Sequence, residues 1–238
     1  MSLLSPLEEL SSCGVALIAR LDGRERHDVL RQALHALAQL EHRGACAADG
    51  RSGDGAGILT DIPFEFLGHR KGSVAVASVL VAAGEHDSRR CLDVFRETFA
   101  YHGLEVLEQR EVPTVPGVLG RMARNELPRI VQVVFARPSH CRTDASFESL
   151  LYFAKQRLRT RHKSVGLHRA FFFSSLSIHT VVYKALVRGE DLPEFCPDLR
   201  EPSFQSRFAI VHRRFSTNTR STWDKAQPFR LLCHNGEF

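Results

Sequence analysis

No two cysteines in this chain are spaced C-x-x-C, although six are present: Cys13, Cys46, Cys91, Cys141, Cys196 and Cys233. A zinc knuckle or a thioredoxin-like centre therefore has no support in the sequence. Cysteines spread this widely, without a secretory leader, predict free thiols in a reducing cytoplasm. Met1 to Ser12 is not such a leader: Pro6, Glu8 and Glu9 interrupt its apolar residues and no basic stretch precedes them. No apolar run is long enough to span a bilayer, and the longest, Val74 to Ala83, has the length of a buried strand. Repeats, low-complexity tracts and obvious linkers are also missing. The glycines of Gly53-Asp54-Gly55-Ala56-Gly57 are not followed by the Lys-Ser/Thr of a phosphate-binding loop, and their spacing is not that of a dinucleotide fingerprint. Charge of one sign is not concentrated either. The net charge is +5, but the bases are scattered. The densest run, Lys155 to Lys163, reads as the solvated end of an amphipathic helix, so neither nucleic acid nor membrane is expected as a partner.

What is there is a chain of 238 residues, 43% apolar, enough to bury a core as one large domain or two small ones. Gly14 to Ala19 reads as a short buried strand, followed by a turn at Asp22-Gly23. Val29, Leu30, Ala33, Leu34, Leu37 and Ala38 follow helical spacing and predict a helix over about 26–41. A glycine- and alanine-rich loop runs from His42 to Gly57. Strands are predicted at 58–62, ended by Pro63, and at 74–83, 104–111, 129–136, 170–173, 179–184, 207–213 and 229–233. Helices are predicted at about 88–101, around Phe147 to Leu158, and as a short piece at 189–195. A polar loop covers 216–227. Strands in pairs with helices between the pairs favour an α+β fold with antiparallel sheets over an alternating parallel one.

Three segments carry possible chemistry: Cys13-Gly14-Val15; His42-Arg43-Gly44-Ala45 with Gly53-Asp54-Gly55-Ala56-Gly57; and the stretch from His212 to Glu237. Each alone has a plain reading. Cys13 can be a small buried hydrophobe. The glycines can be an ordinary turn, Arg214 a surface ion-pair residue, and Asn235-Gly236 the commonest hairpin turn.

Taken in order, the segments say more. Cys-Gly-Val, His-Arg-Gly-Ala, Gly-Asp-Gly-Ala-Gly-Ile-Leu, Val-His-Arg-Arg-Phe-Ser-Thr-Asn-Thr, Trp-Asp-Lys-Ala-Gln-Pro-Phe-Arg and His-Asn-Gly-Glu follow one another. That series resembles the class II glutamine amidotransferase domain at the front of the glutamate synthase large chain. Weaker matches lie between, at Val182-Tyr183-Lys184 and Pro197-Asp198-Leu199. The resemblance runs from Cys13 to Phe238.

It implies a four-layer αββα sandwich of the N-terminal nucleophile hydrolase type, with two antiparallel sheets. Residues 1–12 would be a leader that is removed, and 13–238 the N-terminal part of the amidotransferase domain. The resemblance makes Cys13 the nucleophile that attacks the side-chain amide of glutamine, with its own freed α-amino group as the base. An α-amine titrates near pH 7.7–8.0 when unperturbed, which suits that task. Asn235 and Gly236 match the oxyanion hole, and Arg214 matches the arginine that holds the substrate α-carboxylate. Thr217 and Asn218 match residues contacting the glutamine backbone atoms, and His42-Arg43-Gly44 a turn that shapes the pocket. The partners implied are glutamine and a synthase domain or subunit that receives the ammonia for transfer to 2-oxoglutarate. FMN and an iron–sulfur cluster are implied for the rest of a full glutamate synthase. None is expected in this chain, nor any metal.

The sequence departs from the family pattern at Ser11, where an acidic residue is usual, at Ala16, where a glycine is usual, and at Cys46 in the glycine-rich loop. The pattern also continues past Phe238 into a stretch holding the residue that binds the substrate α-amino group, so the domain is expected to be incomplete at its C-terminus. Three readings follow. The favoured one is the glutaminase portion of glutamate synthase. The others are a non-catalytic or partner module of the same fold, and a truncated inactive fragment.

Overall fold

A computed structural model of the chain describes residues 14–214, 221–225 and 228. Cys13, Thr217, Asn218, Asn235 and Gly236 lie outside these residues, as does the strand expected over 229–233.

The described residues build two four-stranded sheets in which every pairing is antiparallel. The first contains β1 (Gly14–Ala19), β2 (Ala56–Asp61), β7 (Thr180–Ala185) and β8 (Phe208–Arg213), in the order β1-β8-β2-β7. The second contains β3 (Val74–Val81), β4 (Val106–Glu111), β5 (Arg129–Ala136) and β6 (Phe171–Ser177), in the order β4-β5-β3-β6. The helices are α1 (His27–Gln39), α2 (Glu85–Tyr101), α3 (Arg121–Asn125), α4 (Asp144–Ser164) and α5 (Leu192–Phe195). This is the α+β class that the alternation of strand pairs and helices predicts, and its two antiparallel sheets are those the resemblance implies.

The pleat of each strand decides what lies on each face. Alternate residues of β3 and β5 split between two cores. Val76, Leu80, Ile130 and Val134 join α1 and one face of the first sheet, represented by Ile58, Tyr183, Ala209 and Val211. Ala77, Val79, Val131, Val133 and Phe135 turn the other way, onto α2 and α4. There Phe95 and Phe99 stack in a group with Phe135 and Phe171. A strand buried on both faces reads as a continuous apolar run, which is why Val74–Val81 is apolar almost throughout.

Several boundaries shift for local reasons. α2 begins at Glu85, three residues before the expected start at about 88, because Gly84 starts it and Glu85 and Asp87 complement its N-terminal dipole. The piece expected over 189–195 is helical only from Leu192, where Pro193 suits a first turn. Arg188 to Asp191 instead form a turn closed by an ion pair between the two ends. α4 starts with a reciprocal cap between Thr143 and Ser146 and carries the basic run at its far end. Arg157, Arg159 and Lys163 are exposed there, as the sequence predicts, but His162 is buried, with its Nε2 3.2 Å from the Cys91 carbonyl.

Two strands adjacent in sequence do not pair in one sheet. β6 and β7 are separated only by Ile178 and His179, yet β6 closes the second sheet and β7 closes the first. Ser175 Oγ accepts the Val182 N–H at 3.1 Å where the chain crosses. Among the described residues no helix is long and apolar enough to cross a membrane.

Candidate active site

Gly14, the loop from His42 to Gly57 and the dipeptide Arg213-Arg214 meet at one end of the first sheet. β1 starts at Gly14, directly after Cys13 in the sequence, and Gly14 pairs with Arg213 at the end of β8. Arg213 pairs on its other side with Ala56, at the start of β2. One step further, the Arg214 N–H donates to the Gly55 carbonyl at 2.8 Å. Residues about 40 and 160 positions from Gly55 in the chain are thus brought beside the glycine-rich loop by strand register alone.

That loop is a closed unit. Ala47 N–H donates to Ser52 O at 2.8 Å, Asp54 N–H to Ala45 O at 3.0 Å, and Cys46 and Gly53 form a β-bridge. The Asp49 carboxylate accepts from the backbone of Arg51, Ser52 and Met122 and from the Ser52 hydroxyl. Those donors hold the Asp49 carboxyl well below the usual carboxylate range, the Met122 amide contributing most. Ser52 Oγ in turn accepts the Ala123 N–H, so the loop is fastened to the start of α3. Gly53 lies against the Val187 backbone so closely that no side chain would fit.

The turn at 40–43 that follows α1 packs on Gly14, where an added Cβ would lie 3.2 Å from Arg43 Cβ. Its Glu41 carboxylate accepts from Arg213 Nη2 at 3.1 Å and Nε at 3.2 Å. Arg213 is fully buried. Its Nη1 pairs with Asp54 Oδ1 and donates to Gly55 O at 3.0 Å. A buried guanidinium is tolerated only with this degree of compensation. Arg214 follows with φ +78°, the one non-glycine residue of positive φ among those described. Its Nε lies 3.4 Å from Asp54 Oδ2. Asp54 therefore touches two successive arginines. Burial pushes its pKa up, and the Coulombic pull of Arg213 and then Arg214 works against that.

Two further polar groups lie on the first sheet to which the sequence assigned no role. His212 is buried, its Nε2 lacks a hydrogen-bond partner, and burial lowers its pKa. Lys184 is 3% exposed, donates from Nζ to the Asp224 carbonyl at 3.1 Å, and is lowered by burial to about 8. Below the sheet, the two weaker sequence matches meet. Tyr183 donates its hydroxyl hydrogen to Asp198 Oδ2 at 2.8 Å and accepts from Gln132 Nε2 at 3.1 Å, while Arg110 pairs with the same Asp198 oxygen. Trp223 is anchored near α3, its indole N–H 3.3 Å from the Ala123 carbonyl.

Of the site residues expected from the sequence, the structure describes Arg214 and the His42-Arg43-Gly44 turn, and brings both to the end of β1. Arg213, Glu41 and Asp54 were not singled out. The available signal was the Arg213-Arg214 pair at a strand end, since alternation requires the two side chains to have different surroundings. Among the described residues no group of three or more His, Cys, Asp or Glu side chains could hold a metal ion. The four described cysteines are free and apart, Cys46 exposed and Cys91, Cys141 and Cys196 buried, so they do not form a cluster site. Burial pushes the Cys91 thiol up to about 11.

Comparison with known proteins agrees with this geometry. Residues 13–238 match the family described as class II glutamine amidotransferases. The chain is 40% identical over 241 residues to ferredoxin-dependent glutamate synthase 2 of Synechocystis sp. and 38% identical over 242 residues to ferredoxin-dependent glutamate synthase of Cyanidium caldarium, each covering 97% of the chain. It is 37% identical over 243 residues to the glutamate synthase [NADPH] large chain of Bacillus subtilis, covering 99% of the chain. It spans only 15–16% of the length of these relatives. The match reaches from the residue before β1 to Phe238 and takes in every segment gathered at the end of the first sheet: this chain belongs to the class II glutamine amidotransferases.

Proposed function

We propose that the end of the first sheet is a glutaminase site in which Cys13 is the nucleophile. The observation that carries this reading is the strand register. It sets Gly14, the residue that follows Cys13 in the sequence, beside Arg213, and Arg214 beside Gly55.

The chemistry follows from the residue types. Removal of residues 1–12 frees the α-amino group of Cys13. That amine accepts the thiol proton as sulfur attacks the amide carbon of glutamine, then returns it to the departing ammonia. A peptide nitrogen has no basic lone pair, so the leader acts as a lock. The Asn235 side-chain amide and the Gly236 N–H bind the oxyanion, and loss of one such donor typically costs about a hundred- to a thousandfold in rate. Water then releases glutamate from the thioester. The Arg214 guanidinium pairs with the substrate α-carboxylate through two parallel N–H donors. Thr217 and Asn218 contact the remaining polar atoms of the amino acid.

The ammonia is delivered to a synthase domain or subunit that aminates 2-oxoglutarate, where FMN and an iron–sulfur cluster supply the reducing step. The compartment is the cytoplasm. Support for this wider reading is the similarity to proteins named glutamate synthases.

The test is made on the native protein. Its intact mass is expected to show a chain starting at Cys13, and Cys13→Ala is expected to abolish ammonia release from glutamine while the circular dichroism spectrum stays unchanged. Ammonia release by the variant at the parent rate would remove Cys13 from the mechanism.

A further inference from the structure

The carboxylate of Asp54 is shared unequally by two arginines. Oδ1 is taken by Nη1 of the buried Arg213, whose guanidinium is also held by Glu41 and the Gly55 carbonyl. Oδ2 is buried, accepts no hydrogen bond, and lies 3.4 Å from Nε of Arg214. The Arg213 side is thus held by three groups, of which Asp54 is one. On the Arg214 side, Asp54 supplies a fixed negative charge. It is itself fixed, by its N–H to Ala45 O at 3.0 Å and by the ion pair to Arg213.

The Arg214 backbone points the same way. A positive φ at a residue with a Cβ costs of order 1–2 kcal/mol, and such strain persists only where surrounding contacts hold it. Here those contacts include the Arg214 N–H to Gly55 O and the approach of its Nε to Asp54. Both come from the dipeptide Asp54-Gly55. A guanidinium fork held on its Nε side presents its Nη side in a single orientation, which is what two-pronged recognition of a planar anion requires.

We propose that Asp54 is the positioning residue for Arg214, and that through it this loop sets the enzyme's preference for a substrate with a free α-carboxylate. The inference rests on the reading of Arg214 as the carboxylate-binding group. Asp54 itself touches no substrate.

The experiment compares glutamine with its α-carboxamide, glutaminamide, as substrates of the native protein. The readout is the ratio of kcat/KM values. Asp54→Asn is expected to raise KM for glutamine about tenfold, to leave kcat within about threefold, and to shrink the ratio by a similar factor. Glu41→Gln, which weakens the hold on Arg213, is expected to keep the parent ratio. Arg214→Ala should collapse the ratio, and Asp54→Asn added to Arg214→Ala should lower it no further. If Asp54→Asn fails to fold, Asp54→Glu keeps the charge, displaces it by one methylene, and is expected to shrink the ratio as well. A parent ratio in the folded Asp54 variant, beside a collapsed one in Arg214→Ala, overturns the positioning role alone. A parent ratio in Arg214→Ala overturns the reading of Arg214 and this inference with it.

Discussion

A side chain on Gly44 would have to occupy the space that the Arg213 guanidinium fills. The arginine cannot withdraw, because it is fully buried and held by Glu41, Asp54 and the Gly55 carbonyl. The glycine of the His42-Arg43-Gly44 turn is therefore required for volume and not for backbone freedom; its φ is −102°.

Gly44→Ala is accordingly expected to destabilise the protein by about 2 kcal/mol or more, the range of overpacking in a rigid interior. Gly50→Ala is the control. Gly50 has φ +67° and open space around its Cβ position, so only backbone strain acts there, about 1 kcal/mol. Urea unfolding of both variants checks the order. Equal losses would mean that the guanidinium yields.

The hydroxyl of Tyr183 is the second testable point. It joins Asp198 and Gln132 across the space between the sheets, and Arg110 pairs with the same carboxylate. Tyr183→Phe removes one donor from Asp198 and one acceptor shared by Gln132 and Arg110, at a cost of about 1–3 kcal/mol. Asp198→Ala leaves Arg110 without its carboxylate and is expected to cost more, about 3–5 kcal/mol. Denaturant midpoints would show the order, and a Tyr183→Phe loss as large as that of Asp198→Ala would mean that Arg110 finds another partner.

Arg214→Lys tests the carboxylate fork directly. An ammonium has one charge centre and cannot donate two parallel hydrogen bonds to a planar anion. The expected outcome is a KM for glutamine raised about tenfold or more, a loss of about 1.4 kcal/mol. Initial rates over a range of glutamine concentrations decide it, and an unchanged KM would count against the assignment.

How far the sequence carried this reading depended on whether the information was local. β5 was legible residue for residue, since a β-branched, mostly apolar run between a proline at 128 and a polar end at 137 admits little else. The helical spacing of Val29, Leu30, Ala33 and Leu37 likewise matches the buried face of α1. The sheet to which a strand belongs was not legible. β6 and β7 look like a hairpin in sequence, but the two-residue turn passes the chain between sheets, and local pattern does not encode that choice. The resemblance directed attention to Arg214. It gave no account of Arg213, because partners at Glu41 and Asp54 lie more than 150 residues away in the chain and only strand register brings them together.

Lys184 gives a prediction in which the sign can be worked through. Burial lowers its pKa to about 8 from an ordinary value of 10.5. Below about pH 8 the lysine is charged in both folded and unfolded chains, and the folded state carries the whole cost of burying that charge. Between about 8 and 10.5 the unfolded chain still binds a proton that the folded chain has released, so stability rises with pH through that window. The full climb is at most about 3 kcal/mol. Lys184→Met keeps an unbranched side chain and removes the charge, although it also gives up the hydrogen bond to the Asp224 carbonyl. The difference in stability between parent and variant cancels the other groups that titrate above pH 8. It is expected to move in the parent's favour as pH rises from about 7.5 to 10. Thermal unfolding across that range reads it, and parallel profiles for the two proteins would mean that the Lys184 ammonium is hydrated in the folded state.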